Sequence, residues 1–332
     1  MRVLSILIIM ALLPLNVIQA GEELLIYSGR SDKFVKPVIE EFTRQTGIKV
    51  VLHAGSSTAL LNKLQLEGKR TQADIYISND AGNLQKGSEL NLFRPLPKSI
   101  ARNIPSNYRS EKNDWLGLSA RARVLVVNTG NPNVKGLKSV FDLAKPELKG
   151  QIALTHSGNE SYIAGITVYM QGKGKAFTRK WLTGMKNNLD DGVFNKHSKI
   201  VKAVAGGKKA VGLVNHYYIY RHLEKHPNAP IRIVVPDQGK NDIGVAWNVA
   251  GAAITRHSKK AHLAEKLMAF MVSRQGQELF AHVNREYPTR PGISAAKEVP
   301  AVGTFKVADV SMAKLGTLRN ETLDLIEAVG MP

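Results

Sequence analysis

From residue 24 the period of apolar positions alternates between that of a strand and that of a helix. Leu24-Leu25-Ile26-Tyr27-Ser28 reads as a strand, and Phe34, Val35, Val38, Ile39 and Phe42 then recur at helical spacing between Ser31-Asp32 and Gly47. Ile48 to Leu52 predicts the next strand, Leu60, Leu61 and Leu64 a second helix, and Ala73 to Ser78 a third strand. Short connections in this order predict an α/β sheet with helices on both faces. The pattern restarts after Trp115, with strands at 124–127, 151–154, 210–215 and 231–235. Helices are expected at 138–143, 162–170, 175–185 and 218–225, with a long amphipathic one at 257–281 and a last one at 315–328. Two α/β lobes with no evident linker suggest a chain that crosses between them more than once and leaves a cleft.

The first twenty residues stand apart from this pattern. Met1-Arg2, an apolar stretch from Val3 to Leu15 and a small residue at Ala20 have the layout of a secretory signal over 1–20, cut within a residue or two of Ala20. No later stretch reaches the roughly 20 apolar residues of a membrane span, so the mature chain is expected to be exported and not membrane-embedded. About 310 residues then remain, a length that suits two domains.

The chain has no cysteine. This excludes disulfides, thiolate metal sites, a cysteine nucleophile and a lipid-anchoring cysteine, and it favours a free protein in a periplasm. The formal net charge of +19 raises nucleic-acid binding as a function. The basic residues are scattered, however, and no reader motif is present, so the charge reads as a diffuse field favouring anionic partners. A secreted hydrolase is disfavoured, because neither Gly-x-Ser-x-Gly nor His-Glu-x-x-His occurs.

The chemistry-bearing feature is Asn215-His216-Tyr217-Tyr218, two adjacent phenols where the apolar run Ala210–Val214 gives way to a helical pattern. Neighbours inside a strand point to opposite faces, whereas at a junction both can enter a cleft. Hard oxygen donors suit a highly charged cation such as ferric iron, whose charge displaces the phenolic proton. Ring packing is the competing reading.

Further segments carry a resemblance: Ile-Tyr-Ser-Gly-Arg-Ser at 26–31, Phe-Thr-Arg-Gln-Thr-Gly-Ile-Lys-Val at 42–50, Ala-Asp-Ile-Tyr-Ile-Ser at 73–78, Asp-Trp-Leu-Gly-Leu-Ser-Ala-Arg-Ala-Arg-Val at 114–124, Arg-Glu-Tyr-Pro-Thr-Arg-Pro at 285–291 and Leu-Ile-Glu-Ala-Val-Gly-Met at 325–331. In this order, with the tyrosine pair, the chain resembles the periplasmic ferric-ion-binding proteins over nearly its whole mature length. The resemblance implies a bilobal periplasmic-binding fold, one Fe³⁺ in the cleft with a synergistic anion, and delivery to the permease and ATPase of an inner-membrane ABC importer by a monomeric receptor. The lobes are expected to comprise 21–122 plus 248–297 and 123–247 plus 298–332.

One branch of that family adds a histidine and a glutamate from the first lobe. Here Ser31 and Asn79 hold those places, with Asp80 beside them as a possible replacement ligand. Another branch uses three tyrosines with carbonate or bicarbonate, the anion held by an arginine. Tyr162, Tyr217 and Tyr218 match those tyrosines and Arg30 that arginine, with Asn215 orienting the anion or a phenolate. Three phenolates balance Fe³⁺, and the added anion then needs a cation such as the planar fork of Arg30. Of Arg121 and Arg123, one is expected to face the cleft. Ser56, Ser57 and Thr58 could hold an anion or simply cap a helix, Tyr220 is read as packing, and His197 and His216 are expected to be solvated. A receptor of the same fold for a phosphorylated or carboxylated organic anion is the alternative function.

Overall fold

The computed structural model describes residues 23–332, so the segment expected to be a secretory signal lies outside the described residues. Ten strands form a single path with two side branches: β1 Glu23–Ser28, β2 Lys49–Ala54, β3 Ile75–Ser78, β4 Leu116–Asn128, β5 Ile152–Thr155, β6 Val193–Phe194, β7 Val211–Asn215, β8 Ile231–Val234, β9 Trp247–Ile254 and β10 Tyr287–Pro288. The order is β2-β1-β3-β9-β4-β7-β5-β6, with β8 and β10 pairing on β4. Parallel pairs (β1 with β2 and β3, β5 with β6 and β7) are linked by helices, as βαβ crossovers require.

The strand that makes the protein bilobal is β4. Its first half, Leu116 to Ala122, pairs with β9 and β10, and from Arg123 onward it pairs with β7 and β8. One continuous, wholly buried strand therefore leaves one sheet and enters another between Ala122 and Arg123.

Two apolar clusters follow from this. One lies beneath the first lobe, where Val35, Val38 and Phe42 of helix Asp32–Thr46 meet Leu24, Ile26 and Ile75 of the sheet and Leu263, Leu267 and Phe280 of two later helices. The other runs from Leu60, Leu64 and Tyr76 past Trp115 into Val124–Val127, Leu154, Ile200 and Leu213 of the second lobe.

Sequence periodicity and structure part company at breaks and short elements. The helix expected over 257–281 is two, Ala261–Met271 and Arg274–Asn284. Ser273 caps the second by accepting from the Gly276 N–H at 3.1 Å, and a side chain at Gly276 would strike the Phe270 carbonyl. The last helix is likewise split into Lys314–Thr317 and Arg319–Val329. The helix expected over 138–143 is a 3₁₀ turn, Val140–Ala144. Elements without an expectation include β9 and the helices Ala81–Glu89 and His197–Ala205.

Candidate metal and anion site

β7 ends at Asn215, and His216 turns directly into the helix Tyr217–Lys225, so both phenols sit in its first turn. They line a cleft of about 530 Å³ together with Gly29, Ser31 and Asn79 of the first lobe and Asn159, His197 and Asn215 of the second. Phe34 supports the pair from the first lobe, with ring centroids 5.3 Å from Tyr217 and 6.4 Å from Tyr218, and the two phenol rings are 4.5 Å apart. Ser31 precedes helix Asp32–Thr46 without using its hydroxyl to cap it, so the oxygen is free toward the cleft.

Asn215 organises the second-lobe wall. Its amide nitrogen donates to Tyr217 Oη and to Ser161 Oγ, each at 3.2 Å, while its oxygen accepts from Arg123 Nη1 at 3.2 Å. His216 anchors the turn. Its Nδ1 accepts from the Ala122 N–H at 3.2 Å and its Nε2–H donates to the Arg285 carbonyl at 2.8 Å, which ties the phenol-bearing helix to the crossover in β4. Both His216 and His197 are buried, contrary to the expectation of solvated histidines. Burial, the largest cause, pulls His216 down to about 4 and His197 well below the ordinary histidine range.

The remaining expected residues fall into two groups. Tyr162 and Arg121 are buried with unsatisfied atoms: the Tyr162 hydroxyl and both terminal nitrogens of Arg121 have no hydrogen-bond partner. Burial raises the Tyr162 phenol, opposed by the nearby Arg123 charge. Burial likewise, with the added charge of Tyr217, lifts Tyr218 well above the ordinary tyrosine range. Unaided, these two phenols stay protonated at neutral pH, and only a strong cation would displace their protons. Arg30 and Asp80, by contrast, are already committed. Arg30 Nη2 pairs with Glu286 at 2.7 Å and Nη1 donates to Ser119 Oγ at 3.1 Å, which leaves only Nε unpartnered. Asp80 caps helix Ala81–Glu89 and accepts from Asn248 at 2.9 Å and Arg319 at 3.2 Å. None of Tyr162, Arg121, Arg30 and Asp80 lines the cleft itself; Tyr162 and Arg121 lie buried behind its wall.

Arg121 and Arg123 correct a second expectation. Both lie near Tyr217, because residues two apart on a strand share a face. Burial draws the Arg123 guanidinium down to about 10. Three residues that bear on the site are not among the expected ones: Glu286, Arg319 and Glu160. Glu160, in the first turn of helix Glu160–Lys173, crosses the cleft to accept from Ser57 Oγ at 2.8 Å and from the Thr58 N–H at 3.2 Å. The helix N-terminus at Ser57 thus does hold an anion, one supplied by the other lobe. Gly29 makes room for Ser57 itself, since a Cβ there would lie 2.2 Å from Ser57 Oγ.

Among the described residues no three His, Cys, Asp or Glu side chains converge on a possible metal position. The donors on offer in the cleft are two phenols, several hydroxyls and amides, the imidazoles of His156 and His197 and the Glu160 carboxylate, with the unpaired guanidinium of Arg121 behind them. Two lobes around such a polar cleft are the architecture of a solute receptor.

The chain belongs to the bacterial extracellular solute-binding protein family, whose profile matches residues 24–282. It is 30% identical over 302 residues to iron uptake protein A1 of Synechocystis sp., covering 89% of this chain and 83% of that one. It is 28% identical to the major ferric iron-binding protein of Neisseria meningitidis, covering 93% of each. Iron-bound HitA from Pseudomonas aeruginosa superposes with a TM-score of 0.88 at 26% identity, over 94% of this chain and 100% of that one.

Proposed function

We propose that this chain is an exported, periplasmic receptor that captures Fe³⁺ in the interlobe cleft and delivers it to the permease and ATPase of an inner-membrane ABC importer. Residues 21–122 with 248–297 form one lobe of this reading, and 123–247 with 298–332 the other. The observation that carries it is the phenol pair of Tyr217 and Tyr218 on the cleft wall, backed by the unpaired guanidinium of Arg121. The relatives named for ferric iron supply the cargo.

Tyr217 and Tyr218 are the direct ligands in this reading, and Tyr162, whose buried hydroxyl lacks a partner, is the third. Three phenolates neutralise Fe³⁺, and a carbonate or bicarbonate completes its coordination. For that anion Arg121 has a stronger case than Arg30, because both its terminal nitrogens are free. Asn215 orients the Tyr217 oxygen. Ser31 is a further oxygen donor on the opposite wall.

Ferric titration of the purified metal-free protein tests this through the visible phenolate-to-iron charge-transfer band. Tyr217→Phe and Tyr218→Phe keep the ring and remove one oxygen, so each is expected to abolish or strongly shift the band with the fold intact. Tyr162→Phe is expected to weaken iron binding at least tenfold. Unchanged colour and affinity in all three variants would place the site elsewhere. The same unpaired guanidinium favours a second reading, a receptor for a phosphorylated or carboxylated organic anion, which gives saturable anion binding and no colour with iron.

A further inference from the structure

Behind Tyr218, away from the cleft, a half-open groove of about 310 Å³ is lined by Lys33 of the first lobe and by Lys202, Arg221, His222, Lys225 and His226 of the second. Every one of these side chains carries or can take up a positive charge. The acids next in sequence to the groove residues are engaged elsewhere: Asp32 pairs with Lys36 at 3.1 Å, and Glu224 with Arg285. No ion pair satisfies Lys33, Lys202, Arg221 or Lys225 among the described residues. Arg221 stacks 5.2 Å from the Phe34 centroid with Nη1 buried and unpartnered, and Lys33 Nζ lies 4.9 Å from the same ring. Phe34 also supports the phenols, yet of the cleft and groove linings only Tyr218 belongs to both.

Like charges gathered from two lobes repel; a pair about 4 Å apart would do so by roughly 1 kcal/mol even at the dielectric of water and by more where solvent is partly excluded. A multiply charged anion reverses the sign of that contribution and contacts both lobes at once. Guanidinium and ammonium groups together suit carboxylate or phosphate oxygens.

We infer that this groove is a second anion site, distinct from the phenol cleft, which takes a small multiply charged oxyanion (a polycarboxylate or a phosphate) and draws the lobes together. The inference does not depend on iron, and its test contains none. Metal-free protein is titrated calorimetrically with citrate and, separately, with inorganic phosphate at constant ionic strength near neutral pH. Small-angle scattering is recorded with and without each anion. The groove variant carries Lys33→Gln, Arg221→Gln and Lys225→Gln. A control with the same charge change carries Lys98→Gln, Lys112→Gln and Lys259→Gln at exposed positions elsewhere, and Tyr217→Phe marks the phenol cleft. Circular dichroism confirms that each variant is folded.

Saturable binding of at least one anion is expected, with compaction, in the wild type, the control and Tyr217→Phe. At least tenfold weakening and no compaction are expected in the groove variant. Citrate alone binding assigns a polycarboxylate, phosphate alone a phosphate. No saturable binding by the wild type overturns the inference. So does equal weakening in groove variant and control, which would reduce the effect to diffuse charge, and so does loss in Tyr217→Phe with the groove variant unaffected.

Discussion

At the scale of single residues, the site combines groups that are satisfied with groups that are not, and the difference is testable. Arg121 is buried with neither terminal nitrogen hydrogen-bonded, a costly state for a charged group that folding alone gives no reason to keep. Arg30, equally buried, is held by Glu286 and Ser119. Arg121→Gln is therefore expected to leave the metal-free protein as stable as the wild type or more so, by about 1–3 kcal/mol. The same change should weaken bicarbonate-dependent iron binding at least tenfold. Urea unfolding and iron titration with and without bicarbonate read the two effects separately. Destabilisation combined with unchanged bicarbonate dependence would make Arg121 a structural residue. The tyrosine pair was legible because two phenols at a strand-to-helix junction are unusual and the surrounding residues resemble a known pattern. The partners of Arg30 and Asp80 were not, since Glu286 and Arg319 lie some 240 to 260 residues away and only the fold brings them close.

Among the elements, the N-terminus of helix Ser57–Glu67 is one of the points where the lobes meet through a charge, beside the Asp80–Arg319 and Glu224–Arg285 pairs. Glu160 accepts from both Ser57 and Thr58 across the cleft, at a helix end that favours an anion. A hydrogen bond to a charged group contributes about 1.5–3 kcal/mol. Glu160→Ala is accordingly expected to shift the metal-free receptor roughly 10- to 100-fold toward an open form, seen as a larger radius of gyration in scattering, while Glu160→Gln, which keeps an acceptor oxygen, should move it less. An unchanged radius in Glu160→Ala would show that other contacts hold the lobes. Strands and helices of the first lobe were readable because Leu24–Ser28, Phe34–Phe42 and Ile75–Ser78 each keep one clear period. β9 was not, because Trp-Asn-Val-Ala-Gly-Ala-Ala-Ile is buried on both faces and shows neither alternation nor a run of large side chains. The break between Met271 and Arg274 was hidden for another reason: the apolar stripe continues through it, and only the Ser273 cap reveals it.

Across the whole molecule, the crossover in β4 makes the connection between the lobes and the site one structural unit, and its protonation follows from that. His216 bridges the Ala122 N–H and the Arg285 carbonyl, bonds that use one ring nitrogen as acceptor and the other as donor and so require the neutral imidazole. Burial holds it down to about 4, against 6.5 for a free histidine, and burial with nearby arginine charges moves His197 in the same direction. In the unfolded chain both histidines take up protons near pH 6.5, while in the folded protein His216 does so only near 4. Stability from this source is therefore complete above about pH 6.5 and is lost as pH falls toward 4, with His216 alone contributing on the order of 3 kcal/mol. Urea unfolding of the metal-free protein over this range should show a steady fall in stability. His216→Gln, whose amide can also accept and donate, should flatten part of that slope at some cost at neutral pH. A wild-type profile level from pH 7 to 4 would mean that acid reaches the buried imidazoles through local opening, and that the β4 crossover is looser than its hydrogen bonds imply.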